Sequence, residues 1–271
     1  MKKQIITLVA VASIAAGYTM AYAAAGSNGG GIVGSKHDMN VFLTTNGGVK
    51  DTDTRTCAYC HTPHHAAAPG QTVDVTLVGL NGNPDTTVTY EAYTPLWSRT
   101  LQNGGYAQYV SASFNPTVDG KFYDPMAGPS RLCMSCHDGN IAVDSYYGKT
   151  GTVTQLGDDQ MNYFGSNHFA IGLNSGLGND HPVGFVYNDM QSDAKYELKA
   201  STETFAGGTK TIDSAMTQVD GVGKIMSCAS CHDVHNGPAV LNKNPASGRG
   251  YFLLASQTDS ALCLSCHDKN K

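Results

Sequence analysis

The sequence is poor in the residues that usually build an apolar core. Its 271 residues include 1 Trp and 8 Phe, against 31 Gly and 10 Pro. Charged residues make up only 14% of the chain, well below the usual ~25%. Acidic residues outnumber basic ones, which argues against a nucleic-acid or anionic-lipid partner. Because the apolar side chains are too few to organise a chain of this length, we expect another element to do so.

Long apolar runs are also missing beyond the N-terminus. Lys2 and Lys3, a short apolar run over residues 5–16 and the small-residue site Ala21-Tyr-Ala23 together match a secretory signal peptide over residues 1–23. The run is too short to span a bilayer comfortably, so we expect an exported chain without a membrane span. Its release leaves 15 of the 17 basic residues against 22 acidic ones. Residues 24–36, rich in Gly and Ser, are expected to form a flexible arm.

All eight cysteines fall into four Cys-x-x-Cys pairs, and a histidine follows each pair directly. This is the attachment signature of c-type haem. It predicts four covalently bound haems, with the thiols bonded to the porphyrins and the following histidines as proximal iron ligands. The cysteines are Cys57, Cys60, Cys133, Cys136, Cys228, Cys231, Cys263 and Cys266, and the proximal histidines are His61, His137, His232 and His267.

Two other uses of paired cysteines fit less well. Zinc sites of the Cys₄ type need no histidine after every pair. Disulfides are common in exported chains with an even number of cysteines, but they do not account for the histidines either.

Six histidines remain for the distal positions, enough for bis-histidine ligation of every iron. The predicted distal ligands are His37, His64, His181 and His235. His168 competes with His181, whereas His65 is expected to be a surface residue or a neighbour of the ligands. Methionine ligation stays open but is less favoured, because histidine is in surplus.

The four motifs alternate between two types. The first and third are followed by a further histidine, giving CxxCHxxH, and the second and fourth are plain CxxCH. We therefore expect two two-haem units, residues 37–150 and 151–271, in one compact domain, with His37 serving the first copy and His181 the second.

The additional histidine has a geometric consequence. Residues i and i+3 of a helix have Cβ atoms about 5–6 Å apart, whereas two axial ligands of one metal need Cβ atoms roughly 10 Å apart. His64 therefore cannot cap the iron held by His61, nor His235 that held by His232. Each is expected to reach a second haem.

The expected fold is mostly irregular and loop-rich, with short α-helices and a little β-structure, and it is templated by the haems. Short helices should carry the CxxCH motifs, and Asp259 is expected to cap the helix of the last one. Alternating runs at residues 73–78 and 87–93, separated by a turn region at residues 81–84, predict a β-hairpin.

Several segments resemble the multihaem c-type cytochromes of metal-reducing bacteria, and most closely the tetrahaem OmcE-type extracellular cytochromes, which polymerise into conducting filaments. The matching segments are Gly34–Met39, Cys57–His64, Pro95–Ser98, Asn179–Val183 and Cys228–Asn236. The resemblance implies a continuous chain of alternating stacked and T-shaped haem pairs. It also implies an N-terminal histidine, here His37, that ligates a haem of the adjacent subunit, although ligation within one subunit stays open.

Three functions follow as expectations. The first is an extracellular conduit, a homopolymer that passes electrons from other redox proteins to extracellular acceptors. The second is a monomeric periplasmic electron shuttle. The third is a multihaem reductase, which is disfavoured because an enzyme needs an open iron and the histidines here suffice to close every one.

Overall fold

The structure is a computed structural model that describes residues 32–33, 35, 37–46, 50–67, 71–78, 84–101, 106–116, 120–139, 141–151, 170–171, 176–205, 210–235 and 252–269. The predicted signal peptide, most of the predicted arm and His168 lie outside these residues. In the part that is described, no helix is both long enough and apolar enough to cross a membrane.

Short elements joined by irregular segments make up the described chain, as the composition predicts. The helices are α1 (Met39–Asn46), α2 (Ser130–His137), α3 (Tyr187–Gln191) and α4 (Ile212–Ala215). Single 3₁₀ turns lie at Thr56–Tyr59, Ala194–Tyr196, Cys228–Ser230, Thr258–Ser260 and Cys263–Ser265. The strands are β1 (Thr72–Val78), β2 (Pro84–Glu91), β3 (Thr217–Val219) and β4 (Gly223–Ile225).

The predicted hairpin is confirmed. β1 and β2 pair antiparallel, with Val73 opposite Tyr90 and Val75 opposite Val88. Alternation of apolar and polar residues along both strands gives the pair one face that can be buried. β3 and β4 form a second, smaller antiparallel pair.

One apolar cluster joins the two sequence halves. Tyr90 and Phe122 from the first half pack with Val219 and Ile225 from the second. The two hairpins therefore share buried surface, and the predicted two-haem units do not have separate cores at this point.

The segment after His181 is held between two parts of the chain. Gly184 accepts a hydrogen bond from the Asp124 amide (2.9 Å) and donates one to the Met226 carbonyl (2.6 Å). Its φ is +90°, and a Cβ atom there would lie 1.8 Å from the Asp124 carbonyl oxygen. Only glycine fits this close backbone approach, which fixes the path of the chain just after His181.

The prediction for Asp259 is wrong. It lies inside the 3₁₀ turn Thr258–Ser260 with a φ of +51°, and the turn of the last motif begins after Leu262. The Asp259 carboxylate therefore does not cap the segment that carries Cys263.

Candidate haem-binding site

Each Cys-x-x-Cys-His motif folds as a tight turn, as predicted. The amide of the histidine donates to the carbonyl of the first cysteine in three motifs, at 2.8 Å for His61, 3.0 Å for His232 and 3.0 Å for His267. The second motif lies within α2, which ends at His137. Two residues three apart on one turn share a face, so each turn can present both thiols to one porphyrin.

The residue before the second cysteine is buried in every motif, a feature that the sequence analysis did not single out. These residues are Tyr59, Ser135, Ser230 and Ser265, all 1% exposed or less. The serine hydroxyls bond locally, for example from Ser135 to the Leu132 carbonyl at 2.7 Å. In the sequence, serine at this position in three of the four motifs was the signal that could have indicated this buried site.

The segment around Trp97 docks the first motif against the second. The Ser98 amide donates to the Cys60 carbonyl (2.9 Å), and the Ser98 hydroxyl donates to the Ala58 carbonyl (2.6 Å). The Trp97 indole donates to the Ser135 hydroxyl at 3.1 Å. The two motifs are therefore tied together by one short stretch of chain.

Thiols of consecutive motifs are neighbours. Cys60 and Cys136 contact the same apolar cluster around Tyr59 and Tyr146, and Cys231 and Cys266 share another. A hydrogen bond between the Cys133 and Cys228 thiols lowers the pKa of Cys228 and raises that of Cys133. The four motifs therefore follow one another in space in their sequence order.

None of the eight cysteines forms a disulfide. Burial raises the pKa of the Cys60 and Cys231 thiols to about 12 and that of Cys266 to about 11. The first cysteine of the first motif, Cys57, and of the last, Cys263, are exposed, while the others are partly or fully buried.

Three of the four proximal histidines face a predicted distal histidine. The ring centres of His37 and His137 are 6.1 Å apart, those of His61 and His235 are 6.2 Å apart, and those of His181 and His267 are 6.3 Å apart. The near-identical spacing of three pairs that share no sequence neighbours suggests a common geometric cause.

That spacing suits a shared iron. With a metal–nitrogen bond of about 2.0 Å, and about 1.1 Å from a ring nitrogen to the ring centre, two imidazoles on opposite sides of one metal have centres about 6.3 Å apart. The interplanar angles of 75°, 27° and 71° are no obstacle, because each ring can rotate about its metal–nitrogen bond.

The pairing differs from the expected one in one respect. His235 belongs to the second copy of the motif pattern, yet it faces His61 of the first. The histidines that lie together therefore do not all come from one copy. The arrangement agrees with the geometric argument that His235 reaches a haem other than the one held by His232.

His37 lies within its own chain, against His137, and its ring also contacts Phe252 at 4.6 Å. Of the two roles left open for His37, this placement favours ligation within one subunit. His65 is exposed, and its ring contacts Tyr147 at 5.2 Å, as expected for a surface residue. His64 is also exposed.

The imidazoles are held in states suited to metal binding. Burial, with smaller contributions from neighbouring histidines, lowers the pKa of His37 to about 4, and burial also lowers the pKa of His267. Both rings are therefore neutral at neutral pH, as a metal ligand must be.

Hydrogen bonds also orient two of the rings. The Nδ1 atom of His61 lies 2.9 Å from the Pro95 carbonyl, and that of His181 lies 3.0 Å from the Pro182 carbonyl. With Nδ1–H as the donor, the lone pair of Nε2 is left for a metal.

These residues fit haem. In the described residues, no group of three or more His, Cys, Asp or Glu side chains could hold a bare metal ion. A haem iron takes its in-plane ligands from the porphyrin and its axial ligands from the protein, so a pair of imidazoles is the whole protein contribution.

No protein-family model, no curated protein and no solved structure matches this chain.

Proposed function

We propose that this chain is an exported tetrahaem c-type cytochrome that transfers electrons. The single observation that carries the proposal is the imidazole spacing. Three of the four CxxCH histidines have a second histidine ring at 6.1–6.3 Å, which is the separation that one iron between them requires. Bound haem supplies a one-electron ferric–ferrous couple at each motif.

The residues favour electron transfer over catalysis. An iron with two histidine ligands has no open position for a substrate, and three motifs have such a pair. For the fourth, held by His232, we assign His64 as the distal ligand. His235, which lies three residues after the histidine of the third motif, faces His61 of the first motif. By a reciprocal exchange, His64, which lies three residues after His61, would serve the third motif.

The order of the thiols supports a linear path. The Trp97–Ser98 segment bonds to both the first and second motifs. The Cys228 amide of the third motif donates to the Ser130 hydroxyl of α2 at 3.1 Å, and the third and fourth motifs share an apolar cluster. Cys57 and Cys263, in the first and last motifs, are exposed. Electrons would therefore enter and leave at the two ends of the row.

We further propose that the protein acts outside the cell as an end-to-end homopolymer that passes electrons on to extracellular acceptors. Exposed apolar side chains lie at both terminal motifs. Leu96, 58% exposed, follows Pro95, whose carbonyl contacts His61, and Leu264, 42% exposed, lies inside the last motif. Because the His37 ring lies 6.1 Å from that of His137 in its own chain, we propose that the polymer rests on surface contact at these ends and not on a shared His37.

Three measurements on the purified full-length protein test this proposal. The intact mass should show four porphyrin additions, the reduced protein should bind no carbon monoxide, and electron microscopy should show uniform filaments. A colourless product would end the cytochrome proposal. Monodisperse single chains would instead favour the alternative, a periplasmic shuttle, and carbon monoxide binding would favour a reductase.

A further inference from the structure

Arg99 is a buried cation whose hydrogen bonds all go to neutral groups. Arg99 is only 3% exposed to solvent. The guanidinium donates to the Ser135 carbonyl (2.7 Å) and hydroxyl (3.3 Å) and to the carbonyls of Val143 (2.9 Å), Ala142 (2.8 Å) and Ser145. Every N–H group is satisfied, but none of these acceptors carries a charge.

No ion pair joins Arg99 to a carboxylate anywhere in the described residues. Asp144 lies on the same loop as three of the acceptors but outside ion-pair distance. Other arginines differ: Arg131, also buried, lies 3.9 Å from Asp124, and Arg55 lies 2.7 Å from Asp51. Burying a charge without an ion-pair partner costs free energy. A buried arginine at this position is therefore expected to have a function that offsets this cost.

The charge lies between the first and second motifs. Ser135, which accepts three hydrogen bonds from Arg99 through its carbonyl and hydroxyl, immediately precedes Cys136. Ser98, the residue directly before Arg99, donates from its amide to the Cys60 carbonyl of the first motif at 2.9 Å. The guanidinium is therefore close to the attachment points of two haems at once.

We propose that Arg99 tunes the reduction potentials of the haems at the first and second motifs, making both easier to reduce than they would be without this buried charge. The inference rests on the proposed function. An iron that gains an electron loses one positive charge, so a nearby fixed cation favours the reduced form. The effect is strong here because charges interact more strongly in a poorly polarisable, dry environment than in water.

The last motif offers a contrast. Lys199 donates to the Leu264 carbonyl at 2.8 Å, but at an exposed site. Water and salt screen an exposed charge, so Lys199 should act weakly. The Arg99 contribution is therefore expected to fall on the haems of the first and second motifs.

The test is a spectroelectrochemical titration of the haem-loaded, full-length protein. At an effective dielectric constant of about 20, a unit charge about 10 Å from an iron changes a one-electron equilibrium roughly tenfold, which corresponds to about 59 mV. Arg99→Gln should lower the midpoint potentials of two of the four haems by about that amount. Arg99→Lys should restore most of the difference, because it keeps the charge.

Lys199→Gln serves as the matched control. It removes an exposed cation, so it should not shift a potential appreciably. Arg99→Met removes the charge and puts an apolar side chain of similar length at this buried site, and it should lower the same two potentials. This variant keeps the test decisive if Arg99→Gln does not mature.

Unchanged potentials in Arg99→Gln or in Arg99→Met would overturn the inference. An equal shift in Arg99→Lys and Arg99→Gln would assign Arg99 a purely structural role and would overturn it as well. Neither outcome touches the proposed function, which fails only if the wild-type protein lacks haem or its electron-transfer properties.

Discussion

Replacement of His235 by alanine distinguishes the ligand pairing in this structure from the one that the sequence suggests. The His61 and His235 ring centres are 6.2 Å apart. An alanine methyl at position 235 would lie about 5 Å or more from the iron position, against the ~2.0 Å of a metal–imidazole bond. One of the four irons should therefore lose its distal ligand, and the reduced protein should bind about one carbon monoxide per chain.

The motif that holds the vacant iron shows which haem His235 serves. Combining His235→Ala with Cys57→Ala and Cys60→Ala removes the haem of the first motif. If His235 serves that haem, carbon monoxide binding should disappear, and the intact mass should show three porphyrins. If His235 serves a haem of its own copy, one carbon monoxide per chain should remain.

His65→Ala is the matched control, because His65 is exposed and contacts Tyr147; it should bind no carbon monoxide. The reciprocal experiment combines His64→Ala with Cys228→Ala and Cys231→Ala. Carbon monoxide binding that persists after removal of the first haem would refute the cross-copy pairing, whatever the result for His64.

Two further predictions concern stability. The Arg55 guanidinium holds the pKa of the fully buried Asp51 carboxylate below its ordinary 3.8, so the stability from this pair is complete above about pH 4 and is lost as the pH falls further. Asp51→Asn should therefore lower the melting temperature at pH 7, and its difference from wild type should shrink steadily as the pH is lowered below about 4. Gly184→Ala should cost at least about 3 kcal/mol in thermal unfolding of the haem-loaded chain, because its Cβ would lie 1.8 Å from the Asp124 carbonyl oxygen; a melting temperature equal to wild type would contradict this close approach.

Local chemistry explains what could be predicted from the sequence. The turns that carry the CxxCH motifs and the β1–β2 hairpin each depend on residues a few positions apart, and alternation along residues 73–78 and 87–93 is enough to define a pairing. The distal candidates were also identified, because only histidines outside the motifs had to be counted. The failure at Asp259 was also local: aspartate is a good cap, but it also tolerates the left-handed backbone that it adopts here.

The pairing of ligands could not be predicted in the same way, because helical spacing says only which iron His235 cannot reach. Sequence proximity favoured a haem within its own copy, but proximity is a weak guide. Loop-closure entropy grows only with the logarithm of length. His61 is about five times farther from His235 along the chain than His267 is. Closing the longer loop, to the iron held by His61, therefore costs about 1.5 kcal/mol more in conformational entropy. This cost is small against a metal–ligand bond. Under the proposed pairing, residues 37–150 alone would lack a distal ligand for their first haem, and neither motif pair would be complete without the other.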